Sequence, residues 1–166
     1  MPIPSAEYLA GMRRLAAAVT IVTTRAGDVP AGLTATSVCS LTAEPPRLLA
    51  CINREVDAHK LIARSRIFAV NLLTPAHRDL ADLFGGRTET TGPARFAAGR
   101  WTTGRTGTPL LADAAAAFEC RLVEAIDAGT HSIFIGEVEA ITLLGDDAPP
   151  LAYHDRAYAT LLTLDD

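Results

Sequence analysis

The chain has 166 residues, of which 49% are hydrophobic and 20% charged, and this is the composition of a folded globular protein rather than a disordered one. The length predicts a single domain over residues 1–166. The formal net charge of −4, from 15 basic and 19 acidic residues, argues against a surface for nucleic acid or anionic membranes, because both need clustered positive charge.

The cysteines and the hydropathy pattern give expectations about location. Cys39, Cys51 and Cys120 lie in apolar segments and have no CxxC or Cys/His ligand spacing, which indicates reduced thiols rather than a zinc site or a disulfide framework. The sequence shows neither a secretory signal pattern nor a run of apolar residues long enough to span a bilayer. We therefore expect a cytoplasmic protein without a membrane segment.

The first third of the chain predicts one helix followed by strands. Residues 5–18 combine a capping Ser5 with an apolar stripe at helical spacing. β-branched and apolar runs then predict strands at residues 19–24, in a segment that begins near Ala31 and continues through 33–41, and at 48–53.

The remainder of the chain predicts further strands and few helices. The predicted helices are 57–65 and 74–83, and the predicted strands are 67–73, 114–128, 132–144, 151–153 and 157–162. Residues 85–108 are glycine-rich and predict a long loop. Because helices are missing between most of the strands, the pattern favours an antiparallel barrel over a doubly wound sheet.

Residues 32–42 carry five hydroxyl side chains and no charge, immediately before a Pro-Pro turn; these are Thr34, Thr36, Ser37, Ser40 and Thr42. The sequence has no GxGxxG or GxxxxGK[ST] motif, so hydroxyls and backbone N–H groups on an irregular strand are the remaining route to a phosphate. The plainer interpretation is a strand whose hydroxyls bond to nearby backbone. The residues alone leave both interpretations open.

Two later segments carry candidate ligand contacts. His131 follows a glycine turn and opens a strand, where it is either an exposed turn residue or a donor to a ligand. Gly136, inside that strand, predicts the close approach of another backbone or a flat ligand. In the terminal segment, Tyr158 has an aromatic ring that could cover a ligand, and Arg156 could meet a phosphate.

The sequence contains no recognisable metal site or activated nucleophile. Asp146 and Asp147 sit in a predicted turn, HExxH is absent, and no serine lies on a GxSxG elbow. If the chain is an enzyme, its reactivity is therefore expected to come from a bound cofactor.

Five segments, in their order and spacing, closely resemble the short-chain flavin reductases. They are AAAVTIVTT, GLTATSVCSLTAEPPRLLACIN, FAVNLL, GTHSIFIGEVEAI and LAYHDRAY. The resemblance spans nearly the whole chain. SVCSL, LLACINR and GTHSIFIGEV are also similar to the branch described as cob(II)yrinic acid a,c-diamide reductases.

The resemblance implies a mainly β protein with a few helices, folded as an antiparallel Greek-key split barrel of the FMN-binding type. It implies a homodimer in which NADH or NADPH delivers hydride to FMN, with FAD also possible. The reduced flavin is then supplied to a partner monooxygenase. The alternatives are a flavin-dependent corrinoid reductase and a non-catalytic split barrel that holds flavin or haem.

The resemblance also assigns site residues. The cofactor positions are Thr34, Ala35, Thr36, Ser37, Ser40, Cys51, Ile52, Asn53, Phe84 and Arg87, with the last two near the phosphate. His131 is implied to meet the nicotinamide as the catalytic-site histidine, and Tyr153, Arg156 and Tyr158 to close that pocket. Two positions depart from the family pattern: Thr130 replaces its acid, and Thr36 stands where many relatives have asparagine.

Overall fold

The computed structural model describes residues 2–143 and 148–162. The strands in this part of the chain are β1 (Ala17–Ala18), β2 (Thr20–Ala26), β3 (Val29–Ala35), β4 (Val38–Ala43), β5 (Pro46–Asn53), β6 (Ile67–Leu72), β7 (Trp101–Thr103), β8 (Pro109–Leu111), β9 (Ala116–Ala128), β10 (His131–Leu143), β11 (Leu151–His154) and β12 (Ala157–Thr160). The α-helices are α1 (Ser5–Met12), α2 (Asp57–Ser65) and α3 (Arg78–Phe84).

The main sheet has seven strands in the order β3-β2-β6-β9-β10-β5-β4, with antiparallel neighbours throughout. Its two edge strands, β3 and β4, follow each other in the chain and are joined by residues 36–37 alone. Such a short link brings the two edges of the sheet together, so the sheet must curl into a barrel that stays open between β3 and β4. The prediction of a mainly antiparallel β fold is confirmed.

The smaller elements flank this barrel. β1, β11 and β12 form a three-stranded sheet, and β7 pairs with β8. The glycine-rich segment contains a 3₁₀ helix at Gly92–Ala97, and Phe96 and Trp101 pack against Phe84 with ring centroids 5.0 and 5.4 Å apart. This aromatic packing gives the predicted loop an ordered path over the end of the barrel.

The barrel interior is filled by alternate side chains of the strands. Leu48, Ala50 and Ile52 of β5 are buried and belong to one hydrophobic cluster with Phe68 and Phe134. Such alternation is the period-two pattern that predicted the strand.

Gly136 packs within this interior, and the prediction that a ligand or another backbone approaches it is wrong. A Cβ at this position would stand 2.7 Å from both Cε1 of Phe68 and the Cβ of Cys120. The predicted close approach is therefore that of the Phe68 ring in the barrel core, rather than of a ligand or a second backbone.

Several predicted boundaries shift. α1 ends at Met12 rather than at residue 18, and none of its residues is buried, so no packing extends the helix. The strand predicted over 33–41 is broken at residues 36–37. The helix predicted from Thr74 begins as a 3₁₀ turn at Pro75–His77. Leu144, the predicted end of a strand, lies outside the described residues together with part of the turn at 145–150.

No helix in the described ranges has both the length and the hydrophobicity needed to cross a membrane.

Candidate active site at the β3–β4 corner

A cavity of about 310 Å³ opens where the barrel is split, and we call it the corner cavity. It is lined by Leu33, Thr34, Ala35, Thr36, Ser37, Cys51, Asn53, Val56, Phe84, Gly85 and His131. Its volume lies at the lower end of the range of roughly 300–1,000 Å³ that is typical of ligand pockets. The break between β3 and β4 creates it, because residues 36–37 leave the sheet and expose their backbone and side chains.

The corner cavity gathers most of the predicted cofactor residues. Thr34, Ala35, Thr36, Ser37, Cys51, Asn53 and Phe84 all line it, and so does His131 from the opposite strand. His131 is placed there by register, since it pairs with Asn53 across β10 and β5.

Two of its hydroxyls are available to a ligand. The Thr34 hydroxyl donates to the backbone carbonyl of Ala81 at 2.7 Å, which ties β3 to α3. The side-chain hydroxyls of Thr36 and Ser37, in contrast, bond to no other residue that the structure describes. Thr34 therefore bonds to backbone, as the plainer interpretation of the sequence expects, whereas Thr36 and Ser37 present free donors and acceptors at the cavity wall.

His131 is held by the turn that precedes it. The Thr130 hydroxyl lies 2.9 Å from Nδ1 of His131, and the Thr130 carbonyl accepts a bond from the Arg54 backbone N–H at 3.0 Å. Ser132 is buried and donates to Asp127 at 2.9 Å, so the base of the turn is also fixed. A hydrogen bond at Nδ1 leaves Nε2 of His131 free to face a ligand.

A second cavity of about 210 Å³ adjoins the first, and we call it the arginine cleft. It is lined by Val19, Thr34, Thr36, Ala81, Gly85, Arg87, Tyr153 and Tyr158. It shares Thr34, Thr36 and Gly85 with the corner cavity, so one elongated ligand can occupy both.

Among the residues that the structure describes, Arg87 is the only cation lining the arginine cleft, and its guanidinium makes several contacts. It donates to Asp82 Oδ1 at 2.8 Å and to the Tyr153 hydroxyl at 3.1 Å. It also lies 5.7 and 5.6 Å from the ring centroids of Tyr153 and Tyr158, at cation–π distance. The hydrogen bond to Tyr153 and, to a smaller extent, the hydrogen bond to Asp82 raise the pKa of Arg87, against the opposing effect of burial.

Tyr158 completes the cleft. Its hydroxyl donates to Asp82 Oδ1 at 2.8 Å. Burial, together with this bond and the charge of Asp82, raises the pKa of Tyr158 to about 12. The phenol therefore stays protonated and remains a donor at neutral pH.

Three of the predicted site residues lie elsewhere. Ile52 is fully buried in the barrel interior and has no side-chain access to the corner cavity. Ser40 lines an apolar groove of about 390 Å³, which we call the sheet groove and which also includes Val38, Cys39, Thr42, Leu48, Phe118, Val138 and Ile141. Arg156 lines a third cavity, between α1 and the β11–β12 turn, that also touches Thr36, Ser37 and Tyr153.

Sequence reasoning missed Asp82 and Gly85. Asp82 lies on α3, and its partner Tyr158 is 76 residues away in the chain. Gly85 ends α3, and a Cβ there would stand 2.8 Å from the Ala81 carbonyl oxygen. The Asp82–Tyr158 contact has no local sequence signal, whereas a glycine that follows a predicted helix, such as Gly85, is a signal for its end.

The site has few ionisable groups and no cluster for a metal. Burial, with a smaller effect from Cys39, raises the pKa of Cys51, so its thiol stays neutral. Within residues 2–143 and 148–162, no three His, Cys, Asp or Glu side chains are grouped so as to hold a metal ion. The arrangement can bind a polar, flat and anionic ligand, but it offers no metal chemistry of its own.

Comparisons with known proteins agree with this geometry. A family model described as the flavin reductase like domain matches residues 12–162. The FMN reductase (NADH) RutF of Variovorax paradoxus S110 is 46% identical over 156 residues, covering 94% of this chain and 85% of the relative.

Two solved structures extend the likeness to the fold. BorF, the flavin reductase component of a bacterial two-component tryptophan halogenase, has a TM-score of 0.87 at 33% identity, covering 97% of this chain and 100% of BorF. The Streptomyces globisporus C-1027 NADH:FAD oxidoreductase SgcE6, in complex with NAD and FAD fragments, has a TM-score of 0.88 at 26% identity, covering 98% and 95%. The chain belongs to the flavin reductase-like domain family and has its split-barrel fold.

Proposed function

We propose that this chain is an NADH-dependent flavin reductase, in which a nicotinamide transfers hydride to FMN and the reduced flavin leaves for a partner oxygenase. The observation that carries the proposal is the corner cavity joined to the arginine cleft. The corner cavity combines small residues and free hydroxyls with His131, and the arginine cleft supplies one cation, Arg87.

The residues fit a flavin mononucleotide. The small side chains Ala35 and Ser37 let the backbone approach a flat ring, and the free hydroxyls of Thr36 and Ser37 can bond to its polar edge or its ribityl chain. Phe84, which is buried and braced by Phe96, gives the ring an apolar border. Arg87, which lines the adjoining cleft, suits a phosphate.

Bound flavin would supply the capacity to accept a hydride, and this chain would supply alignment. Hydride transfer needs the two rings at contact distance more than it needs an acid or a base. His131, with Nε2 free, is placed to donate to the nicotinamide amide, and Tyr153 and Arg156 border the neighbouring cavity through which that substrate would extend. The small number of ionisable groups in the corner cavity is compatible with this chemistry.

Relatives support the choice of substrates. The RutF relative is named as an FMN reductase that uses NADH, and SgcE6 as an NADH:FAD oxidoreductase. We infer FMN and NADH for this chain, with FAD and NADPH as the second choices to be compared. BorF serves a halogenase, which supports a separate flavin-using oxygenase as the partner here.

We also propose that two copies assemble through the sheet groove. Its lining is largely apolar and includes the exposed Ile141, and β4 and β10 carry two further exposed leucines, Leu41 and Leu143. Apolar side chains on β4 and β10 are what an interface between two barrels would bury. The three thiols of the chain, all free in the structure, suit a reducing cytoplasm.

The decisive experiment is spectroscopic. Purified protein with FMN is titrated anaerobically with NADH, and NADH oxidation is then followed under air with catalytic FMN. The proposal predicts bleaching of the flavin and multiple turnovers. Flavin that binds but is never bleached by NADH or NADPH supports the non-catalytic barrel. NADH-dependent reduction of a Co(II) corrinoid, without turnover of free flavin, supports the corrinoid alternative, which the similar proteins do not favour.

A further inference from the structure

Two residues that line the arginine cleft, Arg87 and Tyr158, bond to the same anion, the carboxylate of Asp82. The Asp82 carboxylate accepts from Arg87 Nη1 at 2.8 Å and from the Tyr158 hydroxyl at 2.8 Å, both through Oδ1. The Arg87 backbone N–H also donates to the Asp82 carbonyl at 3.0 Å, which fixes the chain between the two residues. The acid and the base are thus paired by local geometry and not by chance contact on a mobile surface.

The position of this pair matters because Arg87 is the one cation that lines the cleft in the described part of the chain. A ligand whose ring lies in the corner cavity reaches the cleft past Thr34, Thr36 and Gly85, which border both cavities. Its phosphate would meet Arg87 where a carboxylate already neutralises the guanidinium. Two anions then compete for one cation, and each weakens the binding of the other.

We propose that Asp82 is a specificity-determining residue that competes with the flavin phosphate for Arg87. This inference rests on the proposed function and deepens it. In this arrangement Asp82 lowers the preference for FMN over riboflavin, which lacks the phosphate, and speeds the release of FMN. Tyr158, which bonds to the same carboxylate oxygen, holds the acid in its competing position.

The consequence suits a protein whose product is a diffusible reduced flavin. An arginine free of Asp82 would retain the phosphate more firmly, before and after reduction. A carboxylate poised on that arginine can replace the departing phosphate, so Arg87 keeps a partner throughout the cycle. Competition by a built-in acid therefore favours exchange over retention.

The test is the Asp82→Asn variant, because asparagine keeps an oxygen that can accept from Arg87 and Tyr158 but removes the charge. Dissociation constants for FMN and riboflavin are measured by quenching of flavin fluorescence, without NADH. We expect FMN to bind about threefold to fivefold more tightly, as for loss of a partly exposed ion pair, with riboflavin unchanged. The FMN dissociation rate should fall by a similar factor.

A matched control is Asp79→Asn, which removes the same charge from an exposed position on the same helix. It should leave the ratio of the two dissociation constants unchanged. The inference would be overturned if the ratio of the FMN and riboflavin dissociation constants did not change in Asp82→Asn. Weaker binding of FMN to this variant would also overturn it, because it would show that Asp82 positions Arg87 and does not compete with the phosphate.

Arg87→Met separates this inference from the proposed function. It should abolish the preference for FMN while NADH still reduces riboflavin. A wild-type preference that survives Arg87→Met would show that the phosphate binds elsewhere, which removes the role of Asp82 but not the reductase activity. A protein that binds neither flavin would remove both.

Discussion

The corner cavity and the sheet groove lie on the same barrel and differ in almost every property. The groove is the larger, at about 390 Å³, and its wall is formed mainly by apolar side chains of regular strands. The corner cavity, at about 310 Å³, lies where two strands fail to pair and exposes free hydroxyls and a histidine. On these properties we propose the groove as the surface for a second copy of the chain, and the interrupted edge as the ligand site.

The difference divides the hydroxyl-rich segment into two parts. Thr34, Thr36 and Ser37 face the corner cavity, while Ser40 and Thr42 line the sheet groove. The break at residues 36–37 is responsible, because it changes the direction in which the following side chains point. Hydroxyls of one sequence segment therefore serve different surfaces, and substitutions can separate their roles.

The largest effect is expected in the barrel core that separates the two regions. Gly136→Ala places a methyl group against Phe68 and Cys120, and overpacking of this kind costs about 1–3 kcal/mol of unfolding free energy. Urea denaturation measures the loss. Gly11→Ala is the control, since a Cβ there meets nothing within 4 Å and should be neutral or stabilising. Equal stability of the two variants would contradict the packing described.

The sheet groove is tested through the oligomeric state. Ile141→Lys introduces a charge into the groove wall at an exposed apolar position and should weaken a dimer at least tenfold, because the charge would be buried and unpaired in the interface. Light scattering across a concentration series measures this. Val123→Lys, at another exposed apolar residue outside the groove, should have no effect. A monomeric wild type, or an unaffected Ile141→Lys, contradicts the assigned interface.

His131 tests the nicotinamide side of the corner cavity. His131→Ala should raise the KM for NADH about tenfold, with less than a twofold change in the flavin Kd, since loss of a hydrogen bond and of ring contact is of this order. Thr130→Val removes only the hydroxyl that bonds to Nδ1, so its effect should be in the same direction and smaller. If His131→Ala lost flavin affinity but kept its KM for NADH, His131 would contact the flavin and not the nicotinamide.

The smallest expected effect compares two serines of the same segment. Ser37→Ala should weaken flavin binding by about 1 kcal/mol, roughly fivefold, because one hydrogen bond is removed. Ser40→Ala, in the sheet groove, should leave the flavin Kd unchanged. If Ser40→Ala weakens flavin binding and Ser37→Ala does not, the flavin binds in the sheet groove and not in the corner cavity.

The strands were predictable because burial on alternate residues leaves a period of two in the sequence, as in β5. The helix at 57–65 was predicted with its observed bounds. The break between β3 and β4 was not, because alternation of small residues and hydroxyls continues through it. Ser40 and Ile52 were assigned through family resemblance, and their side chains lie in the sheet groove and in the barrel interior.

The arginine cleft shows why part of a site escapes sequence reasoning. Arg87 was assigned through family resemblance, but Asp82 acquires its role only when β12 brings Tyr158 beside α3. A charged residue on a helix is ordinarily a solvated one. Its partners across 76 residues of chain follow from the topology of the barrel and leave no local pattern.

The most direct measurement is a crystal structure of the protein with FMN. The account predicts the isoalloxazine ring in the corner cavity, against residues 34–37, with the phosphate in the arginine cleft beside Arg87. A flavin seated in the sheet groove, or a corner cavity closed to the ring by its own side chains, would contradict it.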